Sequence, residues 1–472
     1  METLSVDLAV IGAGAAGLSV AAGAAQLGAK VILIEARKMG GDCLNYGCVP
    51  SKALLSAAKS FYQVKKGDYF GIRALQLKID FSAVMMHVHK TIAILSKNDS
   101  AKRFESLGVK VIQEQGKFLD PRTLQTKNYT IKAKRFIIAT GSYPFVPPIP
   151  GLNQVPYETN ETIFNLKELP QHLIVIGGGP IGCELAQAFA MLGAKVSILE
   201  GFKILPKDDS DCVALIRRQF EAMNIAIFEN CKVHEINKNA EGIGVKIELK
   251  GEFRQLIGSH LLVATGRRPD VEGLDLKKAQ VAYSPKGIQV DAHLRTSNKK
   301  IYALGDVIGA FQFTHVSNYH AGIVLRNILF KLPSKVDYHA LPWVTYTEPE
   351  MAHVGMLGEE ALKRSDTQIT EHFFDENDRA QTEHETQGKI KIITNKRGKI
   401  LGVTIVGSHA GELILPWVMA LREKKTLRSF MDTIIPYPTL NEISKQVASD
   451  FYAPKLFAKN VRWLVNLLLK FS

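Results

Sequence analysis

The chain is poor in cysteine, with five in 472 residues. That is far below the density of a disulfide-stapled extracellular scaffold, so the placement of the five matters more than their count. Long apolar runs are also missing, since none reaches the roughly 18 residues of a helical membrane span. Met1 leads straight into a strand-like run, without the basic segment and small-residue cleavage site of a secretion signal. The cytoplasm is the expected compartment. Acidic residues are outnumbered, 46 against 59 Lys and Arg, for a formal net charge of +13. That excess permits attraction to nucleic acid, anionic lipid or anionic cofactors and chooses none of them. What remains is ordinary globular composition, 46% hydrophobic and 22% charged, which excludes disordered, collagenous and mucin-like classes. At about 150 residues per domain the length fits roughly two to four domains.

An internal repeat organises the chain. Residues 7–35 align without gaps to 172–200 and are identical at 14 of 29 positions. Each copy reads as a buried strand, a glycine turn, an amphipathic helix, a Gly-Ala-Lys turn and a second buried strand ending in Glu. This is the context that a dinucleotide fingerprint requires, and it is met twice. Gly12 allows the tight turn, Gly14 lets the backbone approach a pyrophosphate, Gly17 lets helix and strand pack closely, and Glu35 stands where a carboxylate bonds an adenosine ribose. Gly177, Gly179, Gly182 and Glu200 repeat the pattern. Two such sites imply a resident flavin and an exchanging nicotinamide. FIIATG at 136–141, with Thr140 and Gly141, LLVATG at 261–266, ending in Gly266, and IYALGDV at 301–307, with Asp306 for ribityl hydroxyls, fit the flavin reading.

These landmarks divide the chain into a first nucleotide unit (1–146), a second inserted into it (147–269), a return to flavin-type signals (270–338) and an α+β region (339–472). The fold class expected is α/β, with two Rossmann-like domains and a C-terminal α+β domain.

Cys43 and Cys48 lie just downstream of the first unit, in GGDCLNYGCVPSK, ahead of a helix expected from Ser51 onward. A helix N-terminus stabilises thiolate. A zinc site is excluded by the lack of a second cysteine pair and of any His within thirty residues on either side, and no metal site is expected. A redox-active dithiol beside a flavin is the economical reading.

This segment, the paired glycine fingerprints and ALGD resemble the pyridine nucleotide-disulfide oxidoreductases, which include dihydrolipoamide dehydrogenase, glutathione reductase and mercuric reductase. VTYTEPEMAHVG at 344–355 and GSHAGELI at 407–414 resemble that family's dimerisation domain. The resemblance implies a homodimer with one FAD per subunit, in which electrons pass from a nicotinamide to the Cys43–Cys48 disulfide and on to a small disulfide or thiol-reactive substrate. It carries over Cys48 as the thiol facing the flavin, Cys43 as the exchanging thiol, and Lys52 with Glu184 as the ion pair beside the flavin. Glu200 suits the free 2′-hydroxyl of NADH and repels the 2′-phosphate of NADPH, although Lys203 is nearby.

The chain departs from the family in three places. The family's His-Pro-Thr-x-x-Glu run, which reaches across the dimer to the other subunit's dithiol, is here Tyr437-Pro438-Thr439-Leu440-Asn441-Glu442. A phenol of pKa about 10 is poorly matched to proton transfer at neutral pH, so fast dihydrolipoamide turnover is not expected. Mercuric reductases also have Tyr at this position, but deliver mercury through a second cysteine pair, and no cysteine follows Cys231 here. Pro180 stands where the family often has a Tyr over the flavin. The alternatives are a soft-metal reductase and, from another class, a slow redox sensor or flavin-bound structural subunit. Residues 456–472 carry Lys459, Arg462, Asn466 and Lys470 at spacings of three and four among apolar residues. This tail is expected either to pack on the dimerisation domain or to lie on anionic lipid at the inner face of a membrane. Nucleic acid is not needed to explain the charge.

Overall fold

A computed structural model describes residues 1–73 and 76–471. The two copies of the repeat form two separate parallel sheets, because each copy's buried strands pair only through a crossover helix. In the first, Glu2–Ile11 lies between Val31–Ile34 and Tyr129–Ile138, and Val109–Ile112 extends the edge. An antiparallel ribbon, Lys117–Asp120 and Thr123–Gln125, is added to the start of Tyr129–Ile138. Ile301–Ala303 returns to pair in parallel with the end of that same strand, Ile301 opposite Phe136. The chain therefore leaves the first sheet, builds the second, and comes back.

The second sheet runs Ala226–Phe228, Lys195–Leu199, His172–Ile176, His260–Val263, all parallel. A three-stranded antiparallel sheet covers it, Ile236, Val245 and Ile247 packing with Ile174, Leu199 and Val263. The third body is a five-stranded antiparallel sheet from Pro342–Thr345 to Thr367–Phe373, with Trp417, Ile443, Val447 and Phe451 of its helices in the core. The α/β class is as expected from the sequence.

The repeat is reproduced down to its glycines. Gly12 (φ +103°) and Gly177 (φ +113°) sit where a Cβ would fall 2.3 Å from the carbonyl oxygens of Ala139 and Ala264 respectively. At Gly17 and Gly182 a Cβ would meet the oxygens of Gly12 and Gly177 at 1.8 and 2.0 Å. Helix, turn and strand touch backbone to backbone there, and only glycine fits.

Two readings need correction. The helix expected from Ser51 begins at Cys48 and runs to Lys65, because Pro50 is tolerated in a first turn, where amide hydrogens have no helical partner. The tail forms a helix, Lys459–Leu468, but none of its residues is buried. Within its own chain every side chain of it stays at least partly exposed.

Candidate active site

Cys48 is the first residue of an 18-residue helix, where the unpaired amide hydrogens and the helix dipole favour negative charge on sulfur. Its Sγ lies 3.3 Å from Thr314 Oγ1, and Thr314 opens a second helix, Thr314–Ile328. All five cysteines are thiols in this structure. The hydrogen bond from Cys43, then Thr314 and the charge of Lys52, pull Cys48 down to about 6, against the effect of burial. Cys43, donating to that thiolate and partly buried, is pushed well above the usual thiol range. The reduced pair is thus a Cys48 thiolate and a Cys43 thiol sharing one proton. The other three cysteines are buried, and burial raises each, Cys231 to about 11; they are inert packing residues.

This asymmetry predicts a pH dependence. A lowered pKa keeps the charged form above it, so the Cys48 thiolate of the reduced protein persists through neutrality and is lost as pH falls through about 6. Absorbance of the thiolate, followed during acid titration of the reduced protein, is expected to disappear with a midpoint near 6. A midpoint above 8 would contradict the arrangement.

Lys52, one helical turn beyond Cys48, forms an ion pair with Glu184 at 2.6 Å. Glu184 belongs to the second nucleotide unit and is buried, so the pair ties the dithiol helix to the nicotinamide half. The other carboxylate oxygen accepts the Tyr346 N–H at 3.0 Å, and the Tyr346 ring lies 4.4 Å from Lys52 Nζ. The lysine is held between a carboxylate and an aromatic face. Gln187, one turn beyond Glu184, accepts the Glu348 N–H and donates to its carbonyl. Three bodies of the fold therefore meet at Lys52.

The fingerprint loops have the shape for dinucleotides. At Gly14 an added Cβ would find nothing closer than 3.8 Å, and at Gly179 nothing within 4 Å, so both backbones are open to a pyrophosphate at the head of a 12-residue helix. Glu35 accepts the N–H groups of Ala13 and Arg37, both at 2.6 Å. Glu200 accepts those of Gly178 at 2.6 Å and Phe202 at 2.9 Å. Each carboxylate is thus fixed beside its glycine turn by two backbone amides. Thr140 donates to the Asp270 carbonyl at 2.7 Å, and Gly141 (φ +76°) accepts the Asp270 N–H. Gly266 (φ +115°) accepts the Phe145 N–H.

Asp306 is raised by burial and accepts the Ser142 hydroxyl at 2.6 Å. Ser142 accepts Arg267 Nε at 2.8 Å, and Arg267 pairs with Asp42 at 3.0 Å. The flavin-type carboxylate and the residue before Cys43 are joined in one polar chain. His320, kept neutral by burial with its pKa pushed down to about 4, accepts the Gly305 N–H and fixes the turn that carries Asp306.

The signature of the pyridine nucleotide-disulphide oxidoreductases matches residues 6–321, and that family's dimerisation domain matches residues 341–448. The chain belongs to this family. A mercuric reductase of Staphylococcus aureus is 33% identical over 449 residues, 94% of this chain and 82% of that protein. A dihydrolipoyl dehydrogenase of Geobacillus stearothermophilus is 34% identical over 454 residues, 94% and 96% of the two chains. Among solved structures, the Cu(II) complex of the HOCl-induced flavoprotein disulfide reductase RclA from Escherichia coli superposes with a TM-score of 0.86 at 28% identity, covering 94% of this chain and 99% of that one. The oxidoreductase is accordingly a flavoprotein that uses FAD and a pyridine nucleotide, acts on sulfur groups, and pairs as a homodimer through its dimerisation domain.

Tyr437 of this oxidoreductase is exposed, 70% accessible, and donates to Asp378 at 2.8 Å. That bond raises the phenol further above its ordinary value. Glu442 begins the helix Glu442–Leu456, its carboxylate 3.4 Å from the Thr439 N–H. Neither approaches the dithiol of its own chain by any hydrogen bond among the described residues. Thr314, Tyr346, Asp42 and Ser142 were not singled out from the sequence. Asp42 had a signal in its place beside Cys43, and Thr314 in its place at a helix start after ALGD.

Proposed function

We propose that this flavoprotein takes electrons from NADH and passes them through Cys43 and Cys48 to a small disulfide or thiol-reactive substrate in the cytoplasm, a reducing compartment where the dithiol can cycle. The observation that carries this reading is the split pair, a low-pKa Cys48 that opens the helix Cys48–Lys65 beside Thr314 at the start of another, and a protonated Cys43. Gly12, Gly14, Gly17, Glu35, Thr140, Gly141 and Asp306, in residues 1–146 and 270–338, are assigned to FAD. Gly177, Gly179, Gly182, Glu200 and Gly266, in 147–269, are assigned to the nicotinamide, and residues 339–472 to the dimer. Bound FAD supplies the electron relay between reduced nicotinamide and the disulfide. The protein's own part is to hold charge and protons. Lys52, fixed by Glu184, stabilises negative charge beside Cys48. Cys43 attacks the substrate disulfide, its proton ends on the departing thiol, and the Cys48 thiolate then displaces the second thiol and restores the Cys43–Cys48 disulfide.

NADH is assigned over NADPH because Glu200 places a carboxylate at the ribose end of the second fingerprint. Glu200→Gln keeps the acceptor and removes the charge. It is expected to shrink the preference of kcat/KM for NADH over NADPH by roughly 10- to 100-fold, the span of a charge-assisted hydrogen bond of about 1.5–3 kcal/mol. An unchanged ratio would reject the assignment.

A second reading, reduction of a soft metal ion, is favoured by Tyr437 in place of the histidine base. A soft cation displaces the Cys43 proton itself and is held by two sulfurs, so no base is required. A steady-state comparison of dihydrolipoamide with NAD, oxidised glutathione, and Hg(II) with excess thiol separates the two. Turnover of Hg(II) alone would replace the disulfide reading with the metal one.

A further inference from the structure

The family's dimerisation signature ends at residue 448, yet the chain continues into a second helix, Lys459–Leu468, none of whose side chains is buried. At 100° per residue, Val461, Leu464, Val465 and Leu468 fall within an arc of about 100°. Lys459, Arg462 and Asn466 occupy the opposite side, and Trp463 lies next to them, about 100° from the nearest edge of the arc. Trp463 is 66% accessible, Leu464 47% and Leu468 59%. A helix of ten residues is shorter than the ~12–15 that isolated helices need to persist in water, so this one gains its stability from whatever covers its apolar face.

Charge identifies the cover. No acidic residue follows Asp450, while Lys455, Lys459, Arg462 and Lys470 do. A negatively charged lipid surface complements that basic rim, and it accepts an apolar arc without demanding the matched groove that a second copy of the chain would have to supply. Basic side chains flank the apolar ones along the segment, an order that lets Lys and Arg extend toward phosphate while the tryptophan among them sits at headgroup depth. We propose that residues 456–471 form an interfacial helix that holds the enzyme against an anionic bilayer.

The test uses the full-length FAD-loaded protein with vesicles of phosphatidylcholine, alone and mixed with phosphatidylglycerol. Sedimentation is expected with the anionic vesicles only, weakening as salt rises. Trp463 emission should shift to the blue on binding, and Trp463→Phe should remove the shift, since Trp417 is buried and Trp343 half-buried in the fold. Each basic residue at such a surface strengthens binding on the order of fivefold, so Lys459→Glu with Lys470→Glu should cost about 25-fold or more. Leu464→Glu with Leu468→Glu should abolish binding, and NADH oxidation in solution should be unaltered by either pair. Absence of sedimentation, equal binding to neutral vesicles, or binding that survives Leu464→Glu with Leu468→Glu would overturn the proposal. So would Trp463 already shielded from a neutral quencher without lipid, which would mean that a second copy covers the face.

Discussion

Cys43→Ser is expected to lower NADH-driven turnover of a disulfide substrate by about 10³-fold or more, while preserving a thiolate at Cys48. The two cysteines are not interchangeable in this geometry. Cys48 takes its low pKa from groups that surround it, Cys43 first, then Thr314 and Lys52, whereas Cys43 is protonated because it donates to Cys48. Serine at 43 keeps a donor toward Cys48 and prevents the disulfide. The resting variant should therefore carry long-wavelength thiolate-to-flavin absorption without any reductant. Cys48→Ser should lose turnover to the same extent and show no such absorption under any condition. If instead Cys48→Ser carried the band and Cys43→Ser did not, the roles of the two sulfurs would be reversed.

Tyr437→His is expected to raise dihydrolipoamide oxidation by 10²- to 10⁴-fold, the usual range for a positioned acid-base group. The phenol cannot serve as the base near neutral pH, because its ordinary pKa is about 10 and its hydrogen bond to Asp378 raises it further. Histidine titrates near neutrality, and Asp378 remains to orient the imidazole. Steady-state kcat/KM with dihydrolipoamide and NAD measures the gain. Tyr437→Phe separates the two readings of function, because it leaves disulfide turnover unchanged but weakens capture of a soft cation if the phenolic oxygen takes part. No gain from Tyr437→His would mean that the absent base is not what limits lipoamide chemistry.

The parts of the site that were legible in the sequence are those fixed by local backbone geometry. Gly12, Gly17, Gly177 and Gly182 are readable because turn, helix and strand meet there at distances no side chain survives. Cys43 and Cys48 are readable because their spacing and the following Pro-Ser-Lys announce a helix start. Thr314 reaches Cys48 across 266 positions of sequence and Tyr346 reaches Glu184 across 162, and neither residue type signals chemistry by itself. Thr314 becomes visible only when residues 270–338 return to the first sheet, and Tyr346 only when the third body packs against the second. The tail shows the same limit from the other side. Its amphipathic pattern predicts a helix, which forms, but the pattern does not say what covers the apolar face, and in this chain no side chain of that helix is buried.

The central claim is that electrons reach the substrate through Cys43 and Cys48. Anaerobic titration of the oxidised holoenzyme with NADH tests it most directly. One equivalent should produce a two-electron-reduced enzyme with a long-wavelength thiolate-to-flavin band, lost as pH is lowered through about 6. Direct bleaching of the flavin with no such band, in protein with Cys48 intact, would contradict the claim.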